Sequence, residues 1–194
     1  MGKFVPKSFS IPDGIKNKEF KIRKLTIHDL IKDYDAVMSS IDHLKGVFGP
    51  KNSWPSAKLT LEQNLVDLAW HQKEFEIKNS FTYTVMNLIE TKCLGCVYIN
   101  ASEKVGFDAE VIFWVRKSEL ANALDERLFS EIKFWLSKEW WFKNAGFPGR
   151  LIDWDQWNSI PNKWNNENSE RKFLCLKKIN NLYLYFFKNM FLGK

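Results

Sequence analysis

The sequence predicts an α/β fold of the α+β kind, a mixed and mainly antiparallel central sheet flanked by helices. Three observations carry this. Residues 81–86 and 93–99 are runs of strand length, the first β-branched and aromatic and the second apolar, separated by a short turn, which is the pattern of an antiparallel hairpin. Residues 111–115, Val-Ile-Phe-Trp-Val, are apolar on both faces and belong in the middle of a sheet. Leu120, Leu124, Leu128, Ile132 and Leu136 recur at every fourth position, which predicts a long helix over about residues 118–142.

The remaining elements follow in order. Residues 1–18 carry Pro6, Pro12 and Gly14 and read as an irregular arm. Phe20-Lys21-Ile22-Arg23-Lys24-Leu25 alternates apolar and basic residues, the period of a half-buried strand. Thr26 and Asp29 can cap a helix whose apolar positions run from Leu30 to Ile41. Gly49-Pro50 and Trp54-Pro55 make residues 46–57 a loop. Thr60 with Gln63 is a capping box, and Leu61, Leu65, Leu68 and Phe75 mark one face of a helix running to about residue 76. After the hairpin, a polar loop over 100–108 leads to the central strand. Gly146-Phe147-Pro148-Gly149 breaks the long helix, and residues 150–154 are a short strand candidate. Residues 158–170 are polar and Asn-rich, a linker. Residues 171–194 place Leu176, Ile179, Tyr183, Phe186 and Met190 at helical spacing, a stripe to be packed on the domain or in a homodimer. The domain proper is residues 19–157.

At 194 residues and 45% hydrophobic content, one domain with a sizeable core is expected. The net charge of +6 is spread in small clusters such as Lys16, Lys18, Lys21, Arg23 and Lys24. That excess suits an anionic small molecule, and no nucleic-acid motif accompanies it, so no nucleic-acid partner is expected. Three cysteines, an odd number, argue against a disulfide framework. Cys93 and Cys96 lack a second ligand pair at finger spacing, and three residues along a strand should turn them to opposite faces; no metal is expected. The start of the chain shows no apolar signal core, and the apolar run 179–187 is too short for a transmembrane segment. A cytoplasmic location is the expectation.

The order strand, helix, helix, three strands, long helix, strand resembles the GNAT superfamily of N-acyltransferases. Residues 20–29 look like its first strand and helix start. Leu94-Gly95-Cys96-Val97-Tyr98-Ile99 looks like its third strand, and residues 110–116 like its fourth. The likeness covers roughly residues 20–155. It implies acetyl-CoA as co-substrate and a small-molecule amine or a protein amine as acceptor. It also implies a fourth strand whose free edge, Phe113, Trp114, Val115 and Arg116, pairs with the pantetheine arm. The pyrophosphate would meet the next helix start. The family loop reads basic or Gln, two residues, Gly, one residue, Gly or Ala. It falls here on Leu120-Ala121-Asn122-Ala123-Leu124-Asp125, which lacks the basic residue and both glycines and ends on a carboxylate. The alternative implied by that departure is a non-catalytic GNAT-like module that has lost tight CoA binding. A tyrosine used as general acid in the family has no matched counterpart, although Tyr183 or Tyr185 could occupy its place.

For proton transfer, Glu110 opens the central strand and is the candidate base, its alternative being an exposed strand end. His71 and Glu74, one turn apart on the second long helix, are candidates for the acceptor cleft; a solvated helix face is the alternative.

Overall fold

A computed structural model of the chain describes residues 4–163. Most of the polar linker, the tail from 171, Tyr183, Tyr185 and Cys175 lie outside the described residues. Among the described residues six strands form one sheet in sequence order: β1 Gly14–Lys16, β2 Phe20–Lys24, β3 Ser80–Asn87, β4 Cys93–Ala101, β5 Ala109–Val115 and β6 Ala145–Gly146. Every neighbouring pair is antiparallel except β5 and β6, which run parallel. The helices are α1 Leu30–Met38, α2 Ile41–Leu44, α3 Leu61–Glu76, α4 Leu124–Glu139 and α5 Trp154–Ser159.

The sheet separates two apolar layers. On one face Leu128, Ile132, Trp135 and Leu136 of α4 pack on Ile22, Tyr83, Val97 and Phe113. On the other, Ala36, Val37 and Leu68 of α1 and α3 pack on Leu25, Cys96 and Trp114. The four-residue stripe of α4 is therefore core-facing, and each such side chain contributes about 1.5–3 kcal/mol by burial. Helix α3 starts as its capping box predicts, with Gln63 N donating to Thr60 Oγ1 and Thr60 N to Gln63 Oε1.

Several elements differ from the sequence reading. The N-terminal arm is not wholly irregular: β1 forms a hairpin with β2, and Asn17 Oδ1 accepts from the Glu19 and Phe20 amides in the turn. The first helix stops at Met38 and resumes as α2; the Ser40 amide bonds to Val37 O, three residues back, in a tightened last turn. The long helix is interrupted. Lys117–Asn122 is a 3-10 turn, Ala123 adopts a left-handed conformation (φ 52°), and α4 runs from there only to Glu139. Residues 150–154 are not a strand; the last strand among the described residues is Ala145–Gly146, and Pro148 and Gly149 end it. The linker does not begin at 158, since α5 continues through Ser159 and Lys163 Nζ donates to Ser102 O and Phe107 O.

Cys93 and Cys96 do not face opposite sides. Val85 pairs with Gly95 and Met86 with Cys93, so Leu94 is an extra residue in β4. This bulge sends Leu94 into the α4 layer and turns both cysteines toward α1. Gly95 closes the bulge against β5: a Cβ there would stand 2.0 Å from Trp114 O.

Gly95→Ala should therefore destabilise the chain by about 3 kcal/mol, at the upper end for overpacking, because backbone must move. Urea unfolding checks this; a loss below about 1 kcal/mol would mean β4 and β5 are not held this closely.

Candidate functional site

The parallel pair β5–β6 holds for two residues only, Ala109 opposite Ala145 and Glu110 opposite Gly146. Beyond it the chain turns away at Pro148, and β5 continues with no strand on that side among the described residues. The gap is a cavity of about 460 Å³ lined by Ile112, Phe113 and Trp114 of β5, by Ala123, Asp125 and Glu126 at the start of α4, and by Arg150. His43 and Lys45 close it from the other side.

The entrance to α4 combines features that suit a phosphate group. The first turn of a helix leaves its amides without intrahelical acceptors and carries partial positive charge. Ala123 holds a left-handed backbone just before the first turn of α4; for an alanine this costs roughly 1–2 kcal/mol. Asp125 and Glu126 in that first turn oppose an anion. Arg150 answers Asp125 directly: Nη1 donates to Oδ2 at 2.6 Å and Nη2 to Oδ1 at 2.8 Å. The same guanidinium lies 3.6 Å over the Phe113 ring and donates to Phe113 O at 3.3 Å. One side chain thus partners the free edge of β5 and neutralises the carboxylate at the helix start.

Of the residues assigned to the cofactor from the sequence, Phe113, Trp114, Ala123 and Asp125 line the cavity. Val115, Arg116, Ala121, Asn122 and Leu124 do not. Leu124 packs into the core. Arg116 turns to the opposite layer, where it pairs with Asp35 at 3.0 Å and donates to Ser39 Oγ at 2.9 Å. Arg150, His43 and Lys45 line the cavity without a sequence signal. Arg150 follows a Pro-Gly turn, but nothing local marks its partner 25 positions earlier.

Glu110 sits at the fork, in the last paired position. Its register opposite Asn100 puts it on the α1–α3 face. Burial raises its pKa above the ordinary carboxylate value, against a hydrogen bond from Trp157 Nε1 at 3.2 Å. On that face lies a second cleft of about 320 Å³, lined among others by Asp33, Trp54, Trp70, His71, Tyr98 and Asn100. His71 reaches it, with Nδ1 3.0 Å from Thr82 Oγ1. Burial lowers its pKa to about 4, so the imidazole is neutral at pH 7. Glu74 does not line the cleft: Lys73 Nζ at 2.9 Å and Asn79 Nδ2 take its carboxylate. The structure therefore brings His71 but not Glu74 to the cleft and places His71 and Glu110 on one face.

The architecture is the GNAT fold. A ribosomal-protein-S5-alanine acetyltransferase from Vibrio fischeri is similar in structure, with TM-score 0.52 and 17% identity over 64% of this chain and 67% of that one. A Vibrio cholerae protein assigned as a ribosomal-protein-serine acetyltransferase matches with TM-score 0.56 and 10% identity, over 75% and 77% of the two chains. The microcin C7 self-immunity acetyltransferase MccE, solved with acetyl-CoA and AMP, matches with TM-score 0.54 and 14% identity, over 71% and 73%. No protein-family model and no curated protein matches the chain by sequence.

The buried histidine makes a signed prediction. Its folded pKa of about 4 lies below the ordinary 6.5, so between those values the unfolded chain binds the extra proton. Stability from His71 is complete above pH 6.5 and is lost as pH falls toward 4. Over that window the wild type should lose up to about 3 kcal/mol relative to His71→Gln. Urea unfolding of both proteins across pH 4–7 checks it; parallel pH profiles would show an unperturbed imidazole.

Proposed function

We propose that the chain is an N-acyltransferase that moves an acetyl group from acetyl-CoA to an amine. The observation that carries this reading is the fork. Two parallel strands part after two residue pairs, and the opened edge and the start of α4 line one cavity. Backbone groups along residues 112–115 would pair with the amides of the pantetheine arm, as an added strand does. The first amides of α4 and the Arg150 guanidinium would hold the pyrophosphate, Arg150 exchanging its Asp125 partner for phosphate oxygens. The co-substrate supplies a thioester carbonyl open to direct attack by the amine.

The chain's own groups handle the proton. Glu110 lies at the apex of the fork, and the pKa that burial raises above the ordinary carboxylate value strengthens it as a base. The neutral His71 lines the cleft on the same face, where a small amine or a protein amine would enter. Tyr98 is a poor proton donor, since burial pushes its hydroxyl pKa well above 10.

One observation favours a second reading, a GNAT-like module without tight CoA binding: Arg150 already occupies the edge of β5, through its bond to Phe113 O.

Arg150→Ala separates the two. If Arg150 serves the phosphates, calorimetry should show acetyl-CoA binding weakened about tenfold or more, the cost of a charge-assisted hydrogen bond. If Arg150 only plugs the slot, the variant should bind more tightly than the wild type.

With an amine that the wild type acetylates, Glu110→Gln should lower turnover about a hundredfold while leaving acetyl-CoA affinity unchanged. Unchanged turnover would remove Glu110 from the reaction.

A further inference from the structure

Acyl transfer leaves unused a buried cluster beneath the cleft. The Leu94 bulge brings Cys93 and Cys96 to one face of β4, against Asp33 of α1. Their two sulfurs and a carboxylate oxygen lie within 4.8 Å of one another, and all three residues are buried. Cys96 Sγ stands 3.5 Å from Asp33 Oδ1. Two ligands on a tetrahedral zinc ion, with Zn–S about 2.3 Å and Zn–O about 2.0 Å, also stand about 3.5 Å apart.

The surroundings fit ligation. Asn64 Nδ2 donates to Asp33 Oδ2 at 3.0 Å, which fixes the carboxylate and leaves Oδ1 toward the sulfurs. Such outer partners orient metal ligands. Thr84 Oγ1 lies 3.6 Å from Cys93 Sγ, within reach to donate to a thiolate. Among the described residues no Lys, Arg or His pairs with Asp33, whose hydrogen-bond partners are Asn64 and Cys96. A carboxylate this buried without a cation is costly, and a divalent ion would supply the missing charge. Two sulfurs at Cys-x-x-Cys spacing select a thiophilic ion over magnesium or calcium.

We infer that Asp33, Cys93 and Cys96 form a three-ligand site for a thiophilic divalent cation of the zinc class. Asp33 also lines the cleft, so water from that side completes the coordination. Binding displaces the two thiol protons to solvent and replaces the bond from Cys93 Sγ to Gly95 O.

The test uses the full chain kept reduced, loaded with ZnCl2 and desalted. Elemental analysis should find about one zinc per chain, and Co2+ in its place should give a thiolate-to-metal absorption band. Cys93→Ser and Cys96→Ser should each abolish the band. The wild-type spectrum decides the matter even if a variant does not fold. Less than about a tenth of a metal per chain with no cobalt band would overturn the site. So would a band that survives in both variants, or a Cys93–Cys96 disulfide in protein isolated under alkylating conditions.

Discussion

Backbone N–H and C=O groups inside a protein need partners, and beyond Glu110 no strand among the described residues supplies them to the outer edge of β5. That shortage shapes the whole site. Pro148 and Gly149 turn the chain away before β6 can extend. Arg150 then returns to satisfy Phe113 O and to lie on the Phe113 ring. The turn at Ala123 begins α4 at the mouth of the same gap. A strand edge, a helix start and a cation thus converge on one cavity because two strands part early.

The Asp125–Arg150 pair changes the electrostatics that the loop sequence suggests. Alone, Asp125 at the helix start would oppose a pyrophosphate; paired at both oxygens, it presents little net charge and holds a guanidinium in place. About a quarter of each side chain remains exposed, so the pair can exchange partners with solvent access. In the proposed reading, Arg150 from across the fork takes the place of the basic residue that the sequence lacks at Leu120.

Much of the fold was legible because it is encoded locally. The β3–β4 hairpin follows from composition and period, α3 from Thr60 and Gln63, and the core face of α4 from its leucine stripe. What was not legible depends on distant contacts. The Leu94 bulge is a mismatch of one residue between two strands and has no mark in either alone. It reverses the facing of Cys93, which removes one of the two sequence arguments against a metal and leaves the missing second ligand pair. The break at Ala123 interrupts a stripe that is unbroken in the sequence. Arg150 belongs to the cavity only through Asp125 and Phe113, 25 and 37 positions away. Of the candidate site, Glu110 and His71 fall on one face, while Glu74 is drawn off by Asn79, a contact that helix spacing does not encode.

The most direct measurement is a crystal structure of the full chain grown with saturating acetyl-CoA. The pantetheine arm should lie along the outer edge of residues 112–115. The pyrophosphate should sit at the first amides of α4, with Arg150 moved from Asp125 onto its oxygens. A fork that stays free of ligand, with Arg150 still on Asp125 and Phe113, would contradict the account.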